Sequence, residues 1–289
     1  MLIYILSRHS DSYSTKRLFE VAKLNGHQVR IIDHMKCELK IGFQSHIFYQ
    51  GEKLKKPDYI IPRIGSSATF YGSNVLRQFE MMKVKTVVSA EGLLKSRDKL
   101  RASQNMVFNN IEVPKTYFPA PYQENFQYMI NQVGGIPLIV KLLEGTQGLG
   151  VYLLENKNEA KKILEKFNLS NTHYLLQEYI AESKGTDVRA FVVGGKVVAA
   201  MKRIASEGEF RSNIHRGGRG EQVELTSAEK FLAIKTARIL NLDVAGIDIL
   251  QSNRGPLVLE VNSSPGLEGI EKYTDIDIAK AIVEYIESN

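Results

Sequence analysis

The sequence is poor in cysteine and has no apolar run long enough to cross a bilayer. The single Cys37 excludes an internal disulfide and favours a reducing compartment. The apolar stretch within the opening MLIYILSRHSD is too short for a secretory signal and has no basic leader. A membrane-spanning helix needs about 20 consecutive apolar residues, which the sequence does not offer. We therefore expect a cytoplasmic protein with no membrane role.

The sequence also lacks internal repeats, low-complexity segments and long runs of like charge. Its net charge is +6 at pH 7, with a pI of about 9.1. Proteins that bind nucleic acid release counterions from phosphates, and they concentrate basic residues in a patch or stripe. Here lysine and arginine are spread along the chain, which favours a mildly basic enzyme or a basic site for an anionic substrate. We expect no direct role in nucleic-acid binding.

The N-terminal part alternates between strand and helix patterns. With 289 residues, 43% of them hydrophobic, the chain can form two domains or one large subdivided domain. Leu18, Val21 and Ala22 mark the buried face of a helix that ends at Asn25-Gly26. The apolar runs that predict strands are LIYIL (2–6), QVRIID (28–33), DYIIP (58–62) and TVVS (86–89). This alternation predicts a three-layer α/β domain over about residues 1–95.

From about residue 97 the pattern becomes antiparallel. VPKTYFP predicts an edge strand, and residues 122–133 predict a helix. IPLIVKLLEGTQGLGVYLLE predicts two strands joined by a glycine-rich turn. HYLLQEYI (173–180) predicts a strand that runs into a connector. These elements predict a second unit with a small antiparallel sheet.

Two hairpins and two helices are predicted in the last third of the chain. Gly194 and Gly195 form the turn of the first hairpin, within VRAFVVGGKVVAAMKRI. Thr226 and Glu229 predict a capping box for a helix that extends to about residue 240. The second hairpin pairs DVAGIDIL with PLVLEVN. The apolar face of a closing helix is marked by Ile278, Ile282 and Ile286.

The strand LVLEVN ends in two polar residues that follow an apolar run. Glu260 and Asn262 lie two positions apart, so a strand directs both to one face. Asp248 lies in the preceding strand, and residues directly opposite each other in a hairpin lie close enough to share a ligand. Two adjacent carboxylates repel unless one is protonated or a cation joins them, and Mg²⁺ prefers oxygen ligands. The alternative is that these groups cap turns or pair with Arg254 or a lysine.

The segment EGTQGLGV (144–151) is rich in glycine and lies between two predicted strands. It is not a Walker A loop, because no Lys-Ser/Thr follows, and not a dinucleotide fingerprint, because a strand follows. Such a turn either lays backbone N–H groups over phosphates or is an ordinary hairpin turn. Lys141 and Lys99 are candidates for phosphate contacts. The alternatives are a lysine that reaches the surface from its strand and an ordinary exposed lysine on a helix.

Two further segments carry charged residues. QEYI (177–180), followed by Asp187 and Arg189, fits the hinge of a nucleotide cleft, where backbone groups contact adenine and a carboxylate accepts from ribose. A surface loop with solvated charges is the alternative. EFRSNIHRGGRG (209–220) is basic and rich in glycine, and guanidinium groups bind carboxylate and phosphate in bidentate fashion. This turn could equally contact RNA, although it has few aromatic residues for base stacking.

Taken in order, these features resemble the ATP-grasp superfamily, and within it the RimK-type α-L-glutamate ligases. The similarity covers nearly the whole chain, in blocks that include PRIG, SRDKL, VKLLEGTQGLGV, QEYI, FRSNIHRGG, VAGIDIL and GPLVLEVNSSPGLEGIEK. The resemblance implies an α/β fold with α+β character in its C-terminal part. It implies an N-terminal α/β pre-ATP-grasp domain (1–96), a central ATP-grasp subdomain with a glycine-rich flap (97–178) and a C-terminal subdomain with the metal site (179–289). The nucleotide cleft would lie between these two subdomains.

The resemblance also implies a role for each candidate residue. The nucleotide-binding residues are Lys99, Lys141, Glu178, Tyr179, Asp187, Arg211, Ser212 and Asn213. The ligands of two Mg²⁺ ions, with Mn²⁺ as an alternative, are Asp248, Glu260 and Asn262, of which Glu260 bridges both ions. Lys141 and Arg211 would be catalytic, because they would neutralise charge at the reacting oxygens. The residues that hold substrate carboxylates are Arg189, Arg203, His215 and Arg216.

The chemistry implied by the resemblance is ATP-dependent amide formation. A carboxylate attacks the γ-phosphate of ATP to give an acyl phosphate and ADP, and the amino group of L-glutamate then expels phosphate. The implied acceptor is the C-terminal glutamate of a small-subunit ribosomal protein, extended into a polyglutamate tail. A basic enzyme suits such an acidic acceptor. The resemblance further implies a homo-oligomer, either a dimer or a tetramer.

Two rival functions remain at this point. The nearer one is another amino-acid ligase of the same superfamily, acting on a different amino acid, a small molecule or a carrier protein. The more distant one is a non-catalytic ribosome- or RNA-binding protein built on this fold. The presence of Asp248, Glu260 and Asn262 favours the catalytic alternatives.

Overall fold

A computed structural model of the chain describes residues 1–143, 150–212 and 217–289. The strands of this described part are β1 (Leu2–Ser7), β2 (Gln28–Ile32), β3 (Cys37–Lys40), β4 (His46–Tyr49), β5 (Glu52–Lys53), β6 (Tyr59–Arg63), β7 (Lys85–Thr86), β8 (Thr116–Tyr117), β9 (Leu138–Leu142), β10 (Val151–Leu154), β11 (Tyr174–Glu178), β12 (Thr186–Val193), β13 (Lys196–Ile204), β14 (Arg219–Gln222), β15 (Val244–Ser252) and β16 (Gly255–Asn262). Its α-helices are α1 (Tyr13–Leu24), α2 (Thr69–Met81), α3 (Ala90–Arg97), α4 (Lys99–Phe108), α5 (Phe126–Gln132), α6 (Lys157–Leu169), α7 (Ser227–Ile239), α8 (Glu268–Thr274) and α9 (Ile278–Glu287).

The N-terminal domain is built on a parallel sheet with the strand order β2-β1-β6-β7. The central strand β1 is buried from Ile3 to Ser7, as expected for a parallel strand covered on both faces. α1 connects β1 to β2 on one side of β1, and α2 connects β6 to β7 on the other. Right-handed crossovers in opposite directions place these helices on opposite faces of the sheet. The result is the α/β arrangement predicted from the sequence.

The fourth predicted strand is shorter than expected. Only Lys85 and Thr86 pair with β6, whereas TVVS predicted a strand over 86–89. The carbonyl of Val87 accepts instead from the backbone N–H groups of Asp243 and Val244, both at 3.1 Å. The second half of the apolar run therefore joins the N-terminal domain to the C-terminal part of the chain, a tertiary contact that a local pattern does not reveal.

A small antiparallel sheet, β3-β4-β5, was not predicted from the sequence. It is inserted between β2 and β6, and its strands are only two to four residues long. β4 and β5 are joined by a tight turn in which Gln50 and Gly51 have φ values of 53° and 84°. A two-residue turn of this kind is a hairpin signal, and it was the one clue to the missed sheet.

The remainder of the described chain forms two antiparallel sheets, ordered β10-β9-β11-β8 and β14-β13-β12-β15-β16. The predicted edge strand is confirmed as β8, and both predicted hairpins are confirmed as β12–β13 and β15–β16. The predicted helix over 122–133 begins only at Phe126, because Asn125 caps it by accepting from the backbone of Tyr128. The capping box of Thr226 and Glu229 is confirmed at the start of α7.

The described residues bury two separate hydrophobic cores. The larger core joins the N-terminal domain to the C-terminal sheet and its helices, and it includes Ala102, Met106 and Ile111. The smaller core lies within residues 129–176, around β9, β11 and α6. Residues 97–111 therefore pack with the larger core rather than with the central sheet. In the described ranges, no helix combines the length and apolar character that a membrane span needs.

Candidate active site

The hairpin β15–β16 places two carboxylates directly opposite each other. Asp248 faces Glu260, and Gly246 faces Asn262 one repeat further along. The register then shifts between Asp248 and Ile249, so Ile249 faces Val258 and Leu259 is the extra residue of a β-bulge. The predicted hairpin thus places Asp248 and Glu260 opposite each other, and their role as metal ligands with Asn262 stays a prediction. The bulge also accounts for the burial pattern, in which Val258 and Val261 are buried while Glu260 is exposed.

Asp248 is held by two guanidinium groups. Its Oδ1 accepts from Nε of Arg189, and its Oδ2 accepts from Nη2 of Arg189 and Nη2 of Arg203, all at 2.7 Å. Burial by itself would raise the pKa of Asp248, which is only 3% exposed, but the two guanidinium groups outweigh it and lower the pKa below its ordinary value. Asp248 is therefore an ionised, oriented carboxylate beneath the site.

Arg203 connects Asp248 to a second buried carboxylate. Its Nε and Nη2 donate to Oδ1 and Oδ2 of Asp187, both at 2.6 Å, and the same Nη2 also contacts Asp248. Asp187 receives a further short hydrogen bond from the hydroxyl of Ser212. These contacts follow from cross-strand pairing, since Asp187 faces Arg203 across β12–β13 and Arg189 faces Asp248 across β12–β15.

This network changes the interpretation of two candidate residues. Arg203 was expected to hold a substrate carboxylate, but it is only 5% exposed and donates to carboxylates of its own chain. Asp187 was expected on the ribose side of the nucleotide, but it is 4% exposed and both of its oxygens accept from Arg203. Arg189 is also paired, with Asp248. In this arrangement neither Arg203 nor Asp187 presents an open face to a ligand.

Two lysines lie close to the facing carboxylates. Lys141 is partly buried in β9, opposite Val151 on one side and Leu175 on the other. Burial lowers its pKa to about 8; Glu260 and Asp248 act to raise it, and Lys99 acts to lower it further. Lys99 begins α4 and donates to the carbonyl of Leu143 at 3.4 Å; burial lowers its pKa as well. The fold thus brings two cations and two carboxylates from distant segments into one region.

Glu178 is the last residue of β11, at the predicted hinge. Its carboxylate accepts from the backbone N–H of Lys115 at 2.7 Å, and it forms an ion pair with Arg254. The sequence had left open a pairing of Arg254 with Asp248, Glu260 or Asn262. Among the described residues, Arg254 pairs with Glu178 instead. Tyr179 follows the strand and is partly exposed.

The segment predicted to reach the phosphates is described only in part. Arg211 pairs with Glu209, through Nη2 to Oε2 at 2.7 Å and Nε to Oε1 at 2.9 Å. These hydrogen bonds hold the pKa of Glu209 down at about 2. Ser212 is buried against Asp187. The other predicted residues here, Asn213, His215 and Arg216, lie outside the described residues, as does most of the glycine-rich segment at 144–149.

The oxygen atoms at the end of the hairpin suit a hard divalent cation. A carboxylate oxygen has two lone pairs, and Oδ1 of Asp248 accepts only one hydrogen bond among the described residues. Glu260 is exposed, and Oδ1 of Asn262 accepts from the backbone of Ser264 at 3.0 Å. The described residues contain no cluster of three or more His, Cys, Asp or Glu. Two carboxylates with one amide fit an ion such as Mg²⁺, which retains water and phosphate ligands.

Residues 96–286 match the family model described as a RimK-like ATP-grasp domain, and residues 1–93 match that of the RimK PreATP-grasp domain. The chain belongs to the RimK-like ATP-grasp family. A protein of Syntrophotalea carbinolica, named "Probable alpha-L-glutamate ligase", is 53% identical over 290 residues, which cover 100% of this chain and 96% of the relative. A protein of the same name from Picosynechococcus sp. is 51% identical with the same coverage. The chain is thus an ATP-dependent ligase.

Solved structures share the fold of this RimK-like chain at much lower identity. The ATP-grasp ligase PsnB complexed with a minimal precursor has a TM-score of 0.79 at 20% identity and covers 99% of this chain and 98% of its own. D-alanine–D-alanine ligase from Bacillus anthracis complexed with ATP has a TM-score of 0.68 at 16% identity, with 99% and 96% coverage. At such identities the likeness establishes the ATP-grasp fold and no more.

Several contacts in this RimK-like chain had no sequence-based prediction. Glu209 was not singled out, although an acid two residues before Arg211 is a plausible ion-pair partner in a turn. Arg63 was noted only within the PRIG block, yet its Nη1 donates to the carbonyl of Pro265 at 2.8 Å. That contact joins the N-terminal domain to the segment after Asn262, and nothing in local spacing could have revealed it.

Proposed function

We propose that the enzyme adds L-glutamate to the C-terminal glutamate of an acceptor polypeptide in an ATP-dependent reaction. The observation that carries this proposal is the direct opposition of Asp248 and Glu260 beside Lys141 and Lys99. Two facing carboxylates can bind the divalent ion of a nucleoside triphosphate, and the adjacent lysines can contact its phosphates. The choice of glutamate rests on the full-length relatives that carry the name alpha-L-glutamate ligase.

In the proposed reaction, an oxygen of the acceptor carboxylate attacks the γ-phosphorus of ATP. The bond from that phosphorus to the bridging oxygen breaks, and ADP leaves. The amino group of glutamate then attacks the acyl carbon, the acyl C–O bond breaks and phosphate departs as the amine loses a proton. Phosphoryl transfer of this kind depends on positioning and on neutralisation of charge.

The residues of this chain would divide that task. Lys141 and Lys99 would contact the phosphates, and Arg211 would leave Glu209 to contact the transferred group. Asp248, Glu260 and Asn262 would hold Mg²⁺. We expect two ions at this site, with Mn²⁺ as an alternative to Mg²⁺. The bound ion would supply a Lewis acid that neutralises phosphate charge. Arg189 and Arg203 would fix Asp248 in place, because three of its accepted hydrogen bonds come from them.

Substrate choice is tested by measuring ADP release with ATP, Mg²⁺, a peptide ending in glutamate and each amino acid in turn. We expect ADP release that depends on both L-glutamate and the peptide. The matched control is the same peptide with an amidated C-terminus, which has no carboxylate to phosphorylate there and should be inactive. If another amino acid alone is consumed, the neighbouring proposal of a different amino-acid ligase replaces this one.

The most specific part of the proposal is the identity of the acceptor. An acidic C-terminus, such as that of a small-subunit ribosomal protein, suits a chain with net charge +6. Comparing peptides that end in one or several glutamates tests this preference. A turnover that rises with the number of terminal glutamates supports an acidic tail, and equal turnover with neutral residues upstream contradicts it.

A further inference from the structure

The strand order of the N-terminal parallel sheet reverses at β1, between its two central strands β1 and β6. The chain begins in β1, continues to β2 on one side and then returns to β6 on the other side of β1. In open parallel sheets, ligands bind at such a reversal of strand order, outside the carboxyl ends of the strands. Here that position lies between Arg8, just after β1, and Arg63, the last residue of β6.

In the described part of the chain, the arginines at this edge form no ion pair with a carboxylate. Among the described residues, no Asp or Glu oxygen lies within the 4.0 Å ion-pair distance of Arg8, Arg63 or Arg97. Arg97 is committed to the loop after β6, since it donates to the carbonyl of Gly65 at 2.7 Å and the hydroxyl of Thr69 at 2.6 Å. Arg97 therefore shapes the edge rather than binding at it.

Arg8 and Arg63 each keep donors for a ligand. Arg8 is exposed and makes one hydrogen bond, from Nη1 to the hydroxyl of Ser67 at 3.2 Å. Arg63 is partly buried and makes one, from Nη1 to the carbonyl of Pro265 at 2.8 Å. A guanidinium has five N–H donors in a fork that matches a carboxylate. These counts refer to the described part of the chain.

Burial is the main cause of two lowered pKa values at this edge, and nearby cations contribute to both. Burial, with Arg97 nearby, lowers the pKa of Arg63 to about 10. Burial lowers the pKa of His34 to about 4; Asp33 opposes this shift, and Arg8, Arg97 and His9 act in the same direction as burial. The helices α1 and α2 also begin at this edge with no acidic residue in their first turns. The partial positive charges of these helix N-termini add to those of the arginines, although Asp11 precedes the N-cap of α1.

This edge of the sheet contacts the segment that follows the candidate metal site. The carbonyl that Arg63 contacts belongs to Pro265, three residues after Asn262. The backbone N–H of Leu267 donates to the hydroxyl of Ser14 at 3.0 Å, which fixes the same segment to the start of α1. Between Asn262 and Pro265, the hydroxyls of Ser263 and Ser264 are buried without a hydrogen-bond partner among the described residues. An anion at Arg8 and Arg63 would therefore lie next to the reaction centre.

We propose that Arg8 and Arg63 bind a carboxylate of the glutamyl substrate, at the carboxyl ends of β1 and β6. This inference rests on the proposed function and names two substrate residues in the N-terminal domain, in place of the buried Arg203. The same carboxylate chemistry is offered by free L-glutamate and by the acceptor's terminal glutamate. The experiment below separates these two sources.

The test uses the full-length variants Arg8→Ala and Arg63→Lys, with Arg238→Ala as the matched control. Arg238 is an exposed arginine in the last turn of α7, outside the N-terminal sheet and outside the candidate active site. The KM values for L-glutamate, for a peptide ending in two glutamates and for ATP are measured with Mg²⁺ present. Loss of a charge-assisted carboxylate contact should raise one substrate KM by about tenfold or more. The KM for ATP should stay unchanged.

Each outcome decides the proposal. A rise only in the KM for glutamate assigns the site to the incoming amino acid, and a rise only for the peptide assigns it to the acceptor. The proposal is overturned if the substrate KM values of both variants stay within about twofold of wild type, as we expect for Arg238→Ala. A parallel rise in the KM for ATP also overturns it. If Arg63→Lys fails to fold, Arg8→Ala decides, because its side chain is exposed.

Failure of the proposed function gives a different result. In that case the wild-type enzyme consumes no glutamate and no kinetic comparison exists. Calorimetric titration of L-glutamate and of the peptide into the wild type and Arg8→Ala, each with Mg²⁺ and ADP, then tests the site directly. Weaker binding to Arg8→Ala supports the carboxylate site without the reaction, and equal or absent binding overturns it.

Discussion

Arg203 makes the most demanding set of contacts in the candidate site, because one of its nitrogens serves two buried carboxylates. If β12 and β13 paired without interruption from the Gly194-Gly195 turn, Asp187 would lie opposite Lys202. A register shift between Phe191 and Val192 places it opposite Arg203 instead. Asp187 and Arg203 were both singled out from the sequence, but their partnership was not predicted, because no local signal revealed the shift.

Removing the Arg203 guanidinium should destabilise the fold strongly. Arg203→Ala would leave Asp187 uncompensated and Asp248 half-compensated in a buried setting, at a cost of about 3–5 kcal/mol in the free energy of unfolding. Urea denaturation followed by circular dichroism measures this cost. The exposed control Arg238→Ala should change stability by less than about 0.5 kcal/mol. Equal stability of the two variants would show that the buried network has no structural role.

Lys141 should make nucleotide binding depend on pH. Burial lowers its pKa to about 8 against the opposing effects of Glu260 and Asp248, so the cation predominates below that pH and is lost above it. The affinity for ATP should therefore be constant near pH 7 and fall by up to about tenfold per pH unit above pH 8. Calorimetry from about pH 7 to about pH 9.5 measures the profile. Lys141→Met should give a flatter profile, and identical profiles for both proteins would contradict a phosphate contact.

At the scale of elements, the two long hairpins show what sequence patterns can and cannot define. Both turns were predicted from glycine and polar residues; Gly194 and Gly195 of the first turn have positive φ, whereas at the second turn the positive φ falls on Gly255, the first residue of β16. Each hairpin then contains a bulge, and the shift in β15–β16 moves Asp248 from Leu259 to Glu260. Bulges of this kind occur often beside active sites, where they redirect a side chain.

The start of α7 offers a test of an element that was predicted correctly. The side chain of Thr226 accepts from the backbone of Glu229, and the carboxylate of Glu229 accepts from the backbone of Thr226 and from Gln251 in β15. Thr226→Ala should cost about 1 kcal/mol of stability through loss of the cap. Glu229→Ala should cost more, because Gln251 also loses its partner. Thermal unfolding compares the two, and a larger loss for Thr226→Ala would contradict this ranking.

At the scale of the whole molecule, the described residues pack around two cores rather than one. The N-terminal domain and the C-terminal sheet share the larger core, whereas the central sheet and α6 have a smaller core of their own. Sequence patterns identified the central unit by its antiparallel signals, but not which segments share a core. Lys141 comes from the small core's sheet, and Asp248 and Glu260 come from the large core's sheet.

This division predicts unequal local stability. Backbone amides of β9 and β11 should exchange with solvent faster than those of β1, β12 and β15, because fewer buried apolar side chains hold them. Hydrogen exchange followed by mass spectrometry measures the difference. Adding ATP with Mg²⁺ should slow exchange in β9, where Lys141 lies, if the nucleotide links the two cores. If amides exchange equally slowly in all five strands and nucleotide does not change their exchange, the account of two separate cores linked by the nucleotide is wrong.

The most direct test of the central claim compares the wild type with Glu260→Gln in a glutamate-transfer assay. A peptide ending in glutamate is incubated with ATP, Mg²⁺ and L-glutamate, and its mass is followed alongside ADP release. We expect the wild-type enzyme to lengthen the peptide by glutamate with one ADP per bond. Glu260→Gln should retain the fold and lose about a hundredfold or more of this activity, because the neutral amide no longer faces Asp248 as a second carboxylate. Full activity of Glu260→Gln, or a wild type that releases ADP without lengthening the peptide, would contradict the account.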